Sequence, residues 1–255
     1  MEKKIGKPAT KAKNKYNAQN YDNIRLVVPK GRKSVISAIA EATGESLNGF
    51  IGKAIDERMK MRGLLNAKTY TIVAGINGTG KSSFTGAMKS INTFLGVVVD
   101  VDKIVAFNQV FPIEGEKMTH RFVQECLDEG IGFSQETTLS GNRTEATAVK
   151  AKALGYFVRL YYIGLDTPEE CLKRISNRAL RGGPAIGEVD VHRRFSERWK
   201  SLLRVLPLCD EAFFFDNDNG FVEVAEYTDG ALEVKGDYHP HWVLELAAYW
   251  KRYGK

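Results

Sequence analysis

Residues 75–83 read Gly75-Ile76-Asn77-Gly78-Thr79-Gly80-Lys81-Ser82-Ser83, which matches the spacing G-x-x-x-x-G-K-[ST]. Before it, Tyr70-Thr71-Ile72-Val73-Ala74 is a β-branched apolar run, and after it Ser82 to Lys89 can begin a helix. Strand, glycine turn and helix start are the context in which this spacing has a mechanism. Glycines let successive backbone N–H groups turn toward one anion at a helix N-terminus, where the helix dipole favours negative charge. Gly75, Asn77, Gly78, Thr79, Gly80, Lys81, Ser82 and Ser83 are therefore assigned to the phosphates of a nucleotide. Lys81 would reach the β- and γ-phosphates and the Ser82 hydroxyl would ligate a metal, so ATP and Mg²⁺ are the expected ligands.

The chain has 255 residues, is 43% hydrophobic and holds no apolar run near 18 residues, so a full-sized domain plus a small one is expected and a membrane span is not. No apolar segment follows Met1-Glu2-Lys3-Lys4, and the three cysteines (Cys126, Cys171, Cys209) are scattered, which points to a reducing cytoplasm. His239-Pro240-His241 is the one Cys or His pair with ligand-like spacing, and its proline favours a loop over a metal site.

Charge is distributed unevenly. The first 68 residues carry 15 Lys and Arg against 6 Asp and Glu, a net +9; the remaining 187 carry 22 against 25, a net −3. Within residues 1–20, Lys3, Lys4, Lys7, Lys11, Lys13 and Lys15 form a basic arm without apolar periodicity, the composition of a disordered tail attracted to polyanions.

Residues 21–62 read as a small domain. Asp22 to Val28 alternates, with Ile24, Leu26 and Val28 on one face and Asn23, Arg25 and Val27 on the other, and Pro29 ends this strand. Lys33 to Thr43 has helical spacing, with Gly44 where a C-cap glycine belongs. A second helix opens at Ser46 as N-cap and places Leu47, Phe50, Ile51, Ala54 and Ile55 on one stripe. One strand and two helices cannot bury a core alone, so a partner strand from a second copy is expected. The order strand, Pro29, helix, Gly44-Glu45-Ser46-Leu47-Asn48, helix resembles the ribbon-helix-helix (Arc/MetJ-type) DNA-binding family. The resemblance implies a homodimer whose ribbon enters the major groove of duplex DNA, with Asn23, Arg25 and Val27 facing base edges and Ser46 at a backbone phosphate.

Residues 68–255 alternate strands and helices. Phe94 to Asp102 reads as a buried strand ending in two carboxylates, and Asp100 or Asp102 is placed to hold Mg²⁺ or to accept a proton from a substrate hydroxyl. Ile131 to Gln135 is a third strand running into Glu136-Thr137-Thr138-Leu139-Ser140-Gly141, with a helix from Thr144 to Leu154. A strand over Tyr156 to Leu165 precedes a helix capped by Thr167 with Pro168, Glu169 and Glu170 in its first turn. Six arginines surround Gly182-Gly183-Pro184; Arg174 and Arg198 read as solvated, and the rest as a lid over a transferring phosphoryl group. Glu211 to Asp216 gives a strand, Phe221 to Lys235 a hairpin turned by Asp229-Gly230, and Trp242 to Tyr253 a closing helix without evident chemistry. The whole is an α/β fold: a doubly wound parallel sheet of P-loop kinase type, preceded by the small ribbon-helix-helix domain.

With the phosphate loop, the Asp100-Val101-Asp102 strand end, Glu136 to Gly141 and the arginine-rich Gly-Gly segment in this order, residues 70 to 216 resemble the zeta-toxin family of kinases. That family transfers the ATP γ-phosphate to a hydroxyl of UDP-N-acetylglucosamine, and the resemblance implies a toxin with an antitoxin partner. It makes Asp102 the base, sets Asp100, Glu136 and Thr138 on the side of the nucleotide-sugar substrate, and gives the phosphates to Arg178, Arg181 and Arg194. Pro184 stands where many relatives have a lid histidine. Two other readings compete: a transcription regulator that only senses nucleotide, and a polynucleotide 5′-kinase, which the −3 charge of the larger domain disfavours.

Overall fold

The computed structural model describes residues 24–61, 68–91, 95–99, 112–182 and 186–254; the basic arm, Asn23, Asp100, Asp102 and Pro184 lie outside them. The chain divides between Ile55 and Asp56 into two compact units.

In the first unit, helix α1 (Arg32–Ala42) ends in a left-handed turn at Gly44 (φ +73°), closed by a Glu45 N–H bond to the Ala40 carbonyl at 2.8 Å. Helix α2 (Leu47–Met61) begins one residue after Ser46, whose Oγ accepts the Gly49 N–H at 3.1 Å, as an N-cap serine does. The segment before α1 differs from expectation: residues 24–29 carry no strand. A strand is defined by its ladder, and no described residue of this chain pairs with it. Its side chains point outward, Ile24 at 85% exposure and Val27 at 76%, and the described part of this unit buries a single hydrophobic residue, Ala40.

The second unit is built on a seven-stranded sheet. Its strands are β1 (Thr69–Ala74), β2 (Val97–Val99), β3 (Phe133–Thr137), β4 (Phe157–Gly164), β5 (Glu211–Asp216), β6 (Val222–Thr228) and β7 (Ala231–Val234), in the spatial order β2-β3-β1-β4-β5-β6-β7. The first five in that order are parallel; β6 and β7 add an antiparallel hairpin. Its two-residue turn, Asp229 and Gly230, has positive φ at both positions, the geometry that matches strand twist. β1 lies at the centre of the five parallel strands, which is why Tyr70 to Ala74 are all buried and why the run is apolar without alternation. β3 starts and ends two residues later than the pattern suggests, because pairing with β1 from Tyr70–Phe133 to Ala74–Thr137 carries the ladder through the polar Glu136 and Thr137.

Helices cover both faces of the sheet. Helices α4 (Pro112–Glu129), α5 (Arg143–Ala153), α8 (Arg198–Val205) and α9 (His241–Tyr253) bring Leu127, Ala148, Leu202 and Trp242 against Tyr70, Ile72, Leu160 and Phe214. Helix α3 (Lys81–Ser90) packs Phe84 against Val73, Tyr161 and Ile163 on the other face. Helices α6 (Pro168–Ala179) and α7 (Glu188–Ser196) form a third cluster through Cys171, Ile175 and Val191, joined by Ile76 of the phosphate loop. Helix α4 had no counterpart in the sequence reading. No described helix is long and apolar enough to cross a membrane.

Thr167 caps α6 as expected: its Oγ1 accepts the Glu170 N–H while the Glu170 carboxylate accepts the Thr167 N–H. Thr167→Ala should lower stability by about 1 kcal/mol in denaturant melts. An unchanged midpoint would show the cap to be idle.

Candidate functional site

Parallel strands deliver their carboxyl ends to one edge of the sheet, where open α/β proteins bind ligands. There, a cleft of about 570 Å³ opens over the loop between β1 and α3. The loop turns tightly, with Thr79 donating from both its N–H and its Oγ1 to the Ile76 carbonyl, at 3.2 and 2.9 Å. Two of its glycines are required by space as well as by φ. A Cβ on Gly75 (φ +147°) would overlap the Ile163 carbonyl, and one on Gly78 (φ +89°) would overlap the Cys171 carbonyl.

Lys81 opens α3 and folds back over the loop, Nζ donating to the Gly75 carbonyl at 2.9 Å and the Ile76 carbonyl at 3.1 Å. Burial pulls its pKa down to about 8; Glu136 and Cys171 oppose that shift, while Arg178 and Arg194 add to it. Ser82 Oγ donates to Glu136 Oε2 at 2.7 Å, and Thr85 Oγ1 to Glu136 Oε1 at 2.8 Å. A hydroxyl and a carboxylate this close form a hard-oxygen pair of the kind Mg²⁺ takes alongside water and phosphate oxygens, so the residues present fit that ion.

The facing wall comes from α6, α7 and the end of β5. Arg174, Ile175, Arg178, Ile186 and Asn217 line the cleft. Arg194 Nη1 donates to Asn77 Oδ1 at 2.6 Å, and its Nε is buried without a partner among the described residues. Asn217 Nδ2 donates to the Thr79 carbonyl at 2.7 Å, and Arg174 Nη2 donates to the carbonyls of Asn217 and Asp218 at 2.6 and 3.1 Å.

The expected site residues thus sort by place. Asn77, Gly78, Gly80, Lys81, Ser82, Ser83, Glu136 and Arg178 share the cleft, and Arg194 reaches it through Asn77. Glu136, set by resemblance on the sugar side, gives both oxygens to hydroxyls of α3. Thr138 is bonded to Ser140 at 3.0 Å, and Arg181 is exposed past the end of α6; neither lines the cleft. Asp100 and Asp102 lie outside the described residues. In the first unit Arg25 and Val27 are exposed and Ser46 is engaged by Gly49, while Asn23 is not described.

Two expectations fail. Arg174 is a wall of the cleft rather than a solvated charge, because the corner after β5 presents two carbonyls to it. Arg198 packs over the rings of Phe195 and Trp199, 3.8 and 4.4 Å from their centroids, and pairs with Glu245 of α9. The sequence reading also missed Asn217. Its place directly after a strand end was the available signal. Arg204 was missed as well: it holds the loop after β3 by donating to Asn142 Oδ1 and the Gly141 carbonyl at 2.8 and 2.9 Å, beside Leu139 in the left-handed region (φ +58°).

No family model matches the chain. An uncharacterized protein of Haemophilus influenzae is 34% identical over 127 residues, spanning 48% of this chain and 88% of that protein. The chain belongs to that protein's family. Among solved structures, the AvrRxo1-ORF1:AvrRxo1-ORF2 complex with sulphate ions matches at TM-score 0.53 and 18% identity, over 76% of this chain and 71% of that one. The same complex with ATP matches at TM-score 0.53 and 16% identity, over 89% and 79%. The PezAT chromosomal toxin-antitoxin system of Streptococcus pneumoniae matches at TM-score 0.48 and 20% identity, over 66% and 77%. The AvrRxo1 matches show a shared fold, a mostly parallel P-loop-kinase-like sheet.

The depressed Lys81 pKa has a testable sign. Between about pH 8 and the ordinary lysine range, the unfolded chain holds more protons at this position than the folded one, so stability rises with pH across that window and is lost as pH falls through 8. The melting temperature of wild type minus that of Lys81→Met should therefore grow from pH 8 to 10. A flat difference would show that the lysine is not desolvated.

Proposed function

We propose that the second unit is an ATP-dependent kinase of a small-molecule hydroxyl, with a nucleotide sugar such as UDP-N-acetylglucosamine as acceptor, and that it acts as the toxin of a toxin-antitoxin pair. The observation that carries this reading is the meeting of Lys81, Ser82, Glu136, Arg178 and Arg194 around one helix N-terminus. A cleft with this excess of cations and N–H donors suits a polyphosphate. The Nε of Arg194, without a partner among the described residues, is a donor that an anion could take up. That a protein of the same fold was crystallised with ATP supports the choice of nucleotide.

On this reading the loop N–H groups and Lys81 hold the β- and γ-phosphates. Asp102, which follows β2 by three residues in the sequence, takes the proton of the acceptor hydroxyl. The hydroxyl oxygen bonds to the γ-phosphorus as the bond to the β–γ bridging oxygen breaks, and ADP leaves with that oxygen. Arg178 and Arg194, on helices that flank the cleft, meet the charge that develops on the transferring group. Bound Mg²⁺, held by Ser82 with Glu136, would neutralise charge across the phosphates. Asp100 and Thr138 are assigned to the acceptor side and Arg181 to the closing lid, with Pro184 in place of a lid histidine.

Incubation with ATP and UDP-N-acetylglucosamine, followed by mass spectrometry, should reveal a phosphorylated sugar nucleotide. Asp102→Asn should slow transfer by roughly 10²- to 10⁴-fold with ATP affinity nearly intact. Turnover within a few-fold of wild type would remove Asp102 as base. ATP binding with no transfer to any nucleotide sugar would favour the sensing regulator.

We further propose that residues 21–62 form a ribbon-helix-helix domain that dimerises the chain and binds duplex DNA through Asn23, Arg25 and Val27, with a phosphate at the N–H groups that follow Ser46. The exposed Ile24, Leu26, Val27 and Ile39, in a unit whose described residues bury one hydrophobic side chain, support a second copy as partner. Sedimentation of a 21–62 fragment should show a folded dimer; a folded monomer would contradict this. Arg25→Ala should relax sequence preference by about 1 to 3 kcal/mol at one base pair.

A further inference from the structure

The end of β5 is tied to the C-terminal helix by a buried carboxylate. Asp216, 3% exposed, accepts the Trp242 indole N–H on Oδ1 at 2.8 Å; on Oδ2 it accepts the Tyr238 hydroxyl at 3.2 Å and the Asp218 N–H at 3.0 Å. The Trp242 ring fills the space above Gly164, where a Cβ would collide with it, and the Trp242 backbone N–H donates to Asp166 Oδ1 at 2.8 Å. These bonds fix the backbone at 216–218. That is where Asn217 projects its amide onto the Thr79 carbonyl, close enough to Gly80 that a Cβ there would meet it. A buried carboxylate with three donors holds one conformation, since any other leaves a charge unsatisfied.

We propose that Asp216, Trp242 and Tyr238 are positioning residues for nucleotide: through Asn217 they set the phosphate loop, so that helix α9, remote in sequence, belongs to the binding site. The proposal rests on the nucleotide-binding reading above. It is tested on the full chain with ATP and Mg²⁺ as the titrant. Trp242→Phe keeps a ring in the core and removes the indole N–H, and Asn217→Ala removes the contact to the loop. Each should weaken ATP binding about fivefold, the worth of one net hydrogen bond. The double variant should be no weaker than Asn217→Ala alone, because both remove the same link. Additive losses, or unchanged affinity in a folded Trp242→Phe protein, would overturn the proposal.

Leu246→Val trims the core face of the same helix and should lower the melting temperature without changing affinity; an equal loss of affinity there would reduce the effect to stability and overturn the coupling. Should Trp242→Phe fail to fold, Tyr238→Phe removes a donor from a half-exposed side chain and must weaken ATP in the same direction. Hydrogen exchange at the Gly78 to Lys81 amides of the ligand-free protein separates this idea from the nucleotide reading. Faster exchange in Trp242→Phe supports the coupling even if wild type binds no ATP, and unchanged exchange refutes it.

Discussion

A lysine ammonium resting on two loop carbonyls sets the terms for everything around it. Lys81 is partly desolvated, and its partners are the Gly75 and Ile76 carbonyl dipoles with one carboxylate nearby. Such a cation holds its place only if the loop beneath it is rigid, and the sheet supplies that rigidity. β1 enters between β3 and β4, Cys171 of α6 packs against Gly78, and Asn217 pins Thr79 from the far side. The hydrophobic core is thus the scaffold of a small positive cavity.

Legibility in the sequence followed how local the causes were. The phosphate loop, the Thr167 cap, the Asp229-Gly230 turn and the Ser46 cap each depend on residues within a few positions of one another, and each stands where the pattern put it. The ends of β3 depend on β1, which no local pattern reveals. Arg174 and Arg198 were misread for the same reason. Whether an arginine on an amphipathic helix is solvated is decided by what the tertiary fold sets opposite it, here two carbonyls past β5 and a pair of aromatic rings with Glu245. Asn217 and Arg204 act on the cleft and its neighbouring loop from elements distant in sequence, and a single sequence carries only the hint that strand ends matter.

The two units differ in what they need to be stable. The larger one closes its own core on both faces of the sheet. The described part of the smaller one has a helix closed at its C-terminus by the Gly44 turn, a second capped at its N-terminus by Ser46, and a preceding segment whose Ile24, Leu26 and Val27 lie open, so the expected strand finds no ladder among the described residues. On the proposed reading a second copy supplies that unit with a ladder and a core, as the nucleotide completes the cleft of the other.

Calorimetric titration of ATP with Mg²⁺ into the full chain, beside Lys81→Ala, tests the central assignment most directly. The account predicts one site per chain in wild type and a large loss of affinity in the variant, since the lysine neutralises phosphate charge in the bound state. Equal binding by both proteins, or none by wild type, would contradict it.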